Sequence, residues 1–269
     1  MSTATPDYWF RQTKETPLFP DLLWSRPENR QHAGKLLVVG GNVHGFAAPA
    51  EAYAEAEKAG IGTVRVLLPD ALQKTVSKLF PAAEFAPSTP SGSLSQRALA
   101  ELLSLGYWAD GVLIDGDLGR NSETAIVLEK FTSKHQGVLT LSSDAADYFI
   151  TPQAAILERS DTLLVLNFSQ LQKLASHAHF TTAFTSTMGL LQFVAAIHDF
   201  AQQHQAHFAI YHLDHYTVAA EGKVSTTKAI PGTGSSNPSQ LAAHAAVWWL
   251  QNPGQPFKAL TTATLPIGH

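Results

Sequence analysis

The sequence predicts an α/β protein with a mostly parallel central sheet. Short apolar runs that end in glycine or aspartate recur along the chain, as buried parallel strands do, and stretches of helical length separate them. Residues 34–69 hold one complete unit of strand, glycine turn, helix, glycine and strand. Parallel strands joined in this way need a right-handed crossover, which covers both faces of the sheet with helices.

Residues 1–33 carry Pro, Arg and aromatics without sustained periodicity and read as an arm laid over the domain, with Tyr8, Trp9, Phe10 and Trp24 available to pack on it or on a neighbouring subunit. The domain proper, 34–269, opens at Gly34 with the strand KLLVVGG. An Ala-rich helix over 47–59 stops at Gly60, and TVRVLLP follows as a second strand. A helix over 93–105, a strand over 111–115 and a helix over 122–132 continue the alternation, followed by the strands VLTLS and TLLVLN. A long helix over 187–204, the strand-like FAIYHL and TVAA with a turn at Glu221-Gly222, and a last helix over 239–250 complete it. No internal repeat or low-complexity linker divides the chain, so one domain with an arm is expected.

With 269 residues, 45% of them hydrophobic, the chain has ample material for a large core, and general disorder is excluded. Eighteen Lys and Arg against 22 Asp and Glu give a net charge of −4, only 15% of residues are charged, and no basic run occurs. Nucleic-acid and anionic-membrane partners need a concentrated basic surface, so neither is expected. The absence of cysteine excludes disulfides, thiolate metal sites and a cysteine nucleophile. The amino terminus lacks a basic start followed by an apolar core, and no stretch approaches ~18 consecutive apolar residues. A soluble cytoplasmic protein with small-molecule ligands is the reading.

In doubly wound sheets ligands bind beyond the carboxyl ends of the strands, and four such places stand out. Gly40, Gly41 and Asn42, followed by His44, let a ligand approach the backbone; the other reading is a tight strand-to-helix turn. Asp115-Gly116-Asp117 places two carboxylates within three residues, a hard-oxygen pair suited to Mg²⁺ or an ordinary Asp/Gly turn. In Ser142-Ser143-Asp144 the aspartate faces a ligand or caps the next helix. The loop Gly232-Thr233-Gly234-Ser235-Ser236-Asn237-Pro238-Ser239 feeds a helix start, whose N–H groups and positive dipole end suit a phosphate. Asn237 as cap, Pro238 at the first helical position and Gln240 at capping-box spacing give the same loop a structural reading. No P-loop lysine, GxGxxG or GxSxG is present, and His204, His207, His212 and His215 do not match a zinc spacing.

Taken in order, these segments resemble the ribokinase-like family of ADP- or ATP-dependent NAD(P)H-hydrate dehydratases over most of the chain. The opening GKLLVVGGN…AAPAEAYAEAEKAGIGTVRVLLP is similar to the family's strand, Gly-Gly-Ser turn and Gly-Ala-Pro helix start. ADGVLIDGDLG resembles a segment ending Ile-Gly-Pro-Gly-Leu-Gly, and LSSDAA resembles Asp-Ala-Asp-Ala-Leu. The resemblance implies a three-layer α/β/α fold, ADP or ATP as the nucleotide, Mg²⁺, and hydrated NADH or NADPH as substrate. In that chemistry the hydroxyl is phosphorylated, phosphate leaves, and the functional cofactor returns. Related bacterial enzymes self-associate, which implies a homo-oligomer.

The family's catalytic aspartate lies in a Gly-Thr-Gly-Asp loop; here the matching positions are Pro238 and Ser239. A proline removes an N–H donor, and a serine needs an activator before it can act as a base. Asn167 and Gln170 replace the His and Glu of Leu-Thr-Pro-His-Pro-Gly-Glu, Ala47 replaces the Gly of Gly-Ala-Pro, and Tyr211-His212-Leu213 replaces a Lys-Gly segment. The resemblance therefore implies either a dehydratase in which Asp115, Asp117 or Asp144 supplies the base, or a catalytically silent nucleotide- or dinucleotide-binding relative. A small-molecule kinase of the same group is the third reading. The candidate catalytic residues are Ser239 and Asp144. The candidate binding residues are Gly40, Gly41, Asn42, His44, Gly116, Asp117, Asn167 and the 232–237 loop, with Asp115 and Asp117 for metal.

Overall fold

The computed structural model describes residues 6–152, 155–229 and 237–265. In chain order these form β1 (Trp9–Gln12), α1 (Pro20–Trp24), β2 (Lys35–Val39), α2 (Ala47–Lys58), β3 (Thr63–Pro69), α3 (Gln73–Val76), β4 (Ala83–Ala86), α4 (Leu99–Trp108) and β5 (Gly111–Ile114). Then follow α5 (Ser122–Lys134), β6 (Val138–Leu141), β7 (Thr162–Leu166), α6 (Phe168–His177), α7 (Leu190–Gln202), β8 (His207–His212), β9 (His215–Ala220), β10 (Lys223–Lys228), α8 (Pro238–Gln251) and α9 (Pro256–Ala263).

One sheet holds the strands in the order β1-β10-β9-β8-β7-β6-β5-β2-β3-β4. Every pairing is parallel except the two made by β9, which is antiparallel to β8 and β10. Period-two alternation splits each strand between two cores. Leu37, Val39, Val112 and Ile114 face α4, α5, α6 and α7, whereas Leu36, Val38, Leu113 and Val165 face α2, α8 and α9. This is the three-layer α/β/α arrangement expected from the sequence.

The helix expected over 47–59 forms, and Gly60 ends it with φ +80°, its N–H donating to the Glu57 carbonyl. The turn expected at Glu221-Gly222 has positive φ at both residues, as a two-residue hairpin with the twist of its strands requires. Leu213 and Asp214 do the same between β8 and β9. Two helix starts differ from expectation. Residues 93–95 stay in a loop because the Ser93 carbonyl accepts from the Thr89 N–H and the Ser95 hydroxyl donates to the Pro87 carbonyl, so α4 begins only after a 3₁₀ turn. The helix expected from 187 begins at Leu190, after Gly189.

The amino-terminal segment contributes an edge strand. β1 pairs with β10 from the far end of the chain, and buried Trp9 donates its indole N–H to Thr226 Oγ1 at 3.0 Å. Tyr8 stacks on His198 and Phe10 meets Phe257 edge-on, whereas Trp24 is 88% exposed. Among the described residues no helix is long and apolar enough to cross a membrane.

Candidate functional site

Parallel strands deliver their carboxyl ends to one edge of the sheet, and β2, β5 and β6 place three of the expected turns side by side there. After β2 the chain reverses through Gly40 and Gly41. The Gly41 N–H donates to the Gly116 carbonyl at 3.1 Å, and a Cβ at position 40 would lie 2.7 Å from that carbonyl oxygen, so only glycine allows the two turns to touch. Asn42 Nδ2 donates to the Asp117 carbonyl at 2.6 Å, and its Oδ1 accepts from the His44 N–H.

After β5 the two aspartates part. Asp115 is fully buried, and its Oδ1 accepts from the Ser143 hydroxyl at 2.8 Å. Its Oδ2 has no hydrogen bond of normal geometry, although Ser142, Ser239 and Gly116 surround the carboxyl, and burial pushes the Asp115 pKa up. Asp117 turns the other way at φ +62°, and its Oδ2 accepts from the Ala48 N–H in the first turn of α2 at 2.9 Å. The pair suggested for Mg²⁺ is therefore not a shared donor set: one carboxyl is sealed under serine and the other caps a helix. Among the described residues no group of three or more acidic or histidine side chains is arranged to hold a metal ion.

After β6, Ser143 adopts φ +53°. Asp144 does not cap the 3₁₀ turn it enters, Ser143–Tyr148, for which Ser142 is the N-cap residue. Its Oδ1 instead reaches across to the Leu118 N–H at 3.5 Å. Partial burial, then the charges of Asp117, Asp115 and Asp147, raise the Asp144 pKa to about 6.

The fourth turn is the start of α8. Asn237 caps the helix by accepting from the Ser239 N–H at 3.0 Å, Pro238 occupies the first turn, and Asn237 Nδ2 donates to Glu51 of α2. The Ser239 hydroxyl lies 3.2 Å from Ser143 Oγ. Gly232, Thr233, Gly234, Ser235 and Ser236 lie outside the described residues.

Gly116, Asp117, Asp144, Asn237 and Ser239 line one open cleft of about 410 Å³, together with Ala47, Ala48, Glu51, Ser143 and Pro238. The first turns of α2 and α8 thus border the same space, with the Ala48 N–H bonded to Asp117, the Ser239 N–H bonded to Asn237 and no N–H on Pro238. Gly40, Gly41 and Asn42 form the layer behind it, and His44 stands exposed on the adjoining turn. Asn167 is not a cleft residue. It caps α6 in a reciprocal box with Gln170, whose amide donates to the Ser143 carbonyl at 2.8 Å. Glu51 carries no signal in the sequence, and Ser143 is marked there only as part of the Ser142-Ser143-Asp144 turn, because their contacts lie 186, 28 and 96 residues away in the chain.

No known family pattern and no curated protein matches this sequence. Solved structures do. A ribokinase-like superfamily protein from Enterococcus faecalis superposes with a TM-score of 0.72 at 15% identity, over 96% of this chain and 85% of that one. An ADP/ATP-dependent NAD(P)H-hydrate dehydratase from Bacillus subtilis, co-crystallised with ATP/Mg²⁺, gives 0.63 at 12% identity over 92% and 85%. A phosphomethylpyrimidine kinase from Clostridium difficile gives 0.55 at 9% identity over 86% and 96%. At such identities the likeness is one of architecture, and it agrees with the strand order and the two-sided core: the chain has the ribokinase-like α/β fold.

Proposed function

We propose that the cleft binds ADP or ATP beside a hydrated nicotinamide dinucleotide, and that the chain is a divergent nucleotide-dependent NAD(P)H-hydrate dehydratase with Asp144 as its base. The observation that carries this reading is the convergence on a single cleft of the first turns of α2 and α8 and of the Asp144 carboxyl, whose pKa is raised to about 6. The helix ends favour an anionic phosphoryl group, and a carboxyl titrating near neutrality is matched to accepting a hydroxyl proton at physiological pH. The substrate hydroxyl would give its proton to Asp144 as its oxygen takes the terminal phosphoryl group and the anhydride bond to the shortened nucleotide breaks; departure of phosphate with loss of a proton from the adjacent ring carbon would then restore the double bond of the reduced cofactor. Asn42 and His44 would approach the dinucleotide, with Gly40 and Gly41 shaping the turn behind them, and residues 232–239 the phosphates. Mg²⁺ enters no step of this scheme, because Asp115 and Asp117 do not converge.

Ser239 and Pro238 favour a second reading, in which the protein binds nucleotide without turnover. A small-molecule kinase would use the same groups on another hydroxyl compound, and the fold is shared with a phosphomethylpyrimidine kinase. Purified protein, NADH hydrate and either ADP or ATP with Mg²⁺ test the dehydratase against the silent relative. Return of NADH absorbance, lost in Asp144→Asn, supports the dehydratase. Calorimetric nucleotide binding without turnover supports the silent relative. Binding of neither nucleotide overturns the assignment of the cleft.

A further inference from the structure

Asp144 is carried by a single 3₁₀ turn, Ser143–Tyr148, which begins at a serine with φ +53°. So short a segment has few hydrogen bonds of its own and takes its place from its neighbours. Two side chains supply those bonds, one at each end of the turn, and among the described residues neither lines the cleft. At the start, buried Gln170 donates through Nε2 to the Ser143 carbonyl at 2.8 Å and to Asp147 Oδ1 at 3.3 Å, so one amide grips the chain on both sides of Asp144. At the end, the Tyr148 hydroxyl donates to the Gly119 carbonyl and accepts from the Asn121 N–H at 3.2 Å. That ties the turn to the loop between β5 and α5, and the same loop brings the Leu118 N–H to Asp144 Oδ1 at 3.5 Å.

The chemistry at position 170 is specific. Gln170 Oε1 accepts from the Asn167 N–H, which a glutamate would also do, whereas both contacts toward the turn need a donor. A carboxylate there would face a carbonyl oxygen and the Asp147 carboxylate, and both would repel it. The resemblance expects a glutamate at this position, and the amide found instead matches the two acceptors that the turn presents to it. The titratable groups around Asp144 are Asp115 and Asp117 after β5, Asp147 and Tyr148 on its own turn, and Glu51 of α2 in the cleft lining. A donor that carries no charge therefore fixes the turn without altering the balance that sets the ionisation of Asp144.

We propose that Gln170 and Tyr148 are positioning residues that hold Asp144 against the substrate hydroxyl, acting through the turn and touching neither substrate nor nucleotide. This rests on the reading of Asp144 as the base, and the test separates the two. Full-length protein, Gln170→Glu and Tyr148→Phe are compared in the recovery of NADH from its hydrate with Mg²⁺ and whichever of ADP or ATP supports turnover. The rates are followed from about pH 5 to about pH 9, with nucleotide affinity by calorimetry and urea midpoints on the same preparations. Gln170→Glu keeps the capping acceptor and loses the donor, so kcat should fall about tenfold or more while KM and nucleotide affinity stay within about twofold. Its added carboxylate should also move the acid limb of the kcat profile to higher pH than in the parent. Tyr148→Phe removes one hydroxyl and keeps the ring; it should lower kcat about tenfold in the same pattern, and it carries the test if Gln170→Glu does not fold. Turnover that is lost in Asp144→Asn but stays at the parental kcat in both variants overturns the positioning role alone, whatever happens to the urea midpoints. A KM that rises with kcat unchanged also overturns it, because the two residues would then serve binding. A parent without turnover overturns the reading of Asp144 as the base, and the positioning role with it.

Discussion

Asp144 combines a partly buried carboxyl with three acidic neighbours, and both effects disfavour its charge. Its pKa is raised to about 6 in the folded protein, from an ordinary value of 3.8. Between these values the folded state binds a proton that the unfolded state has released, so this residue costs stability as pH rises through the interval. Asp144→Asn removes the cost. After discounting for its solvent-facing side, the variant should be about 1 kcal/mol more stable than the parent at pH 7.5, and the gain should vanish by about pH 4. Urea denaturation at the two pH values reads this directly. A variant less stable at pH 7.5 would mean that the Asp144 charge is compensated in the folded state. The same residue shows what was legible in the sequence. A carboxyl after a strand marks a ligand edge, but whether it caps, binds or titrates depends on Leu118, Asp117 and Asp147 around it, and only folding sets those distances.

At the scale of elements, the start of α6 shows how a motif position changes its work. Asn167 and Gln170 stand where the resemblance expects a His and a Glu, and they form a reciprocal capping box. Through the Gln170 amide that box also holds the Ser143 turn. If Asn167 serves the helix, Asn167→Ala should lower stability by about 1 kcal/mol and leave nucleotide affinity unchanged; a matching loss of affinity would return Asn167 to the binding surface. Urea midpoints and calorimetry on the same preparation give both numbers. Glycine-punctuated elements such as β2, α2, β3 and β5 were readable, because each is an apolar run or an Ala-rich helix with its own stop signal. β1 and β4 were not: WFRQ and AEFA are four-residue strands at the two edges, too short to show a period. In α9 the residues buried around Phe257 and Leu260 include Thr261 and Thr262, whose hydroxyls bond Ser225 and the helix's own backbone, so its buried face does not look apolar in the sequence.

Across the whole molecule, one edge of the sheet joins two segments far apart in the sequence: Trp9 is level with Val224, and Gln12 with Thr227. Gln12 ties the join by donating to Thr227 Oγ1 at 2.9 Å and to the Thr261 carbonyl at 2.6 Å, so β1, β10 and α9 meet on one buried amide. Trp9 is the buried apolar side chain of β1, and Trp9→Ala should cost about 3 kcal/mol in urea denaturation. The cleft is built from β2, β5, β6, α2 and α8, none of which pairs with β1, so nucleotide binding by the folded variant should survive that loss. β1 is a four-residue edge strand paired on one side only, and such edges open before the globule does. Native-state hydrogen exchange should therefore show β1 amides exchanging through an opening with a small denaturant slope, while amides of β2 and β5 exchange only with global unfolding. If β1 amides shared the slope of β5, the strand would be an integral part of the cooperative unit, and Trp9→Ala would then be expected to loosen the cleft as well as the edge.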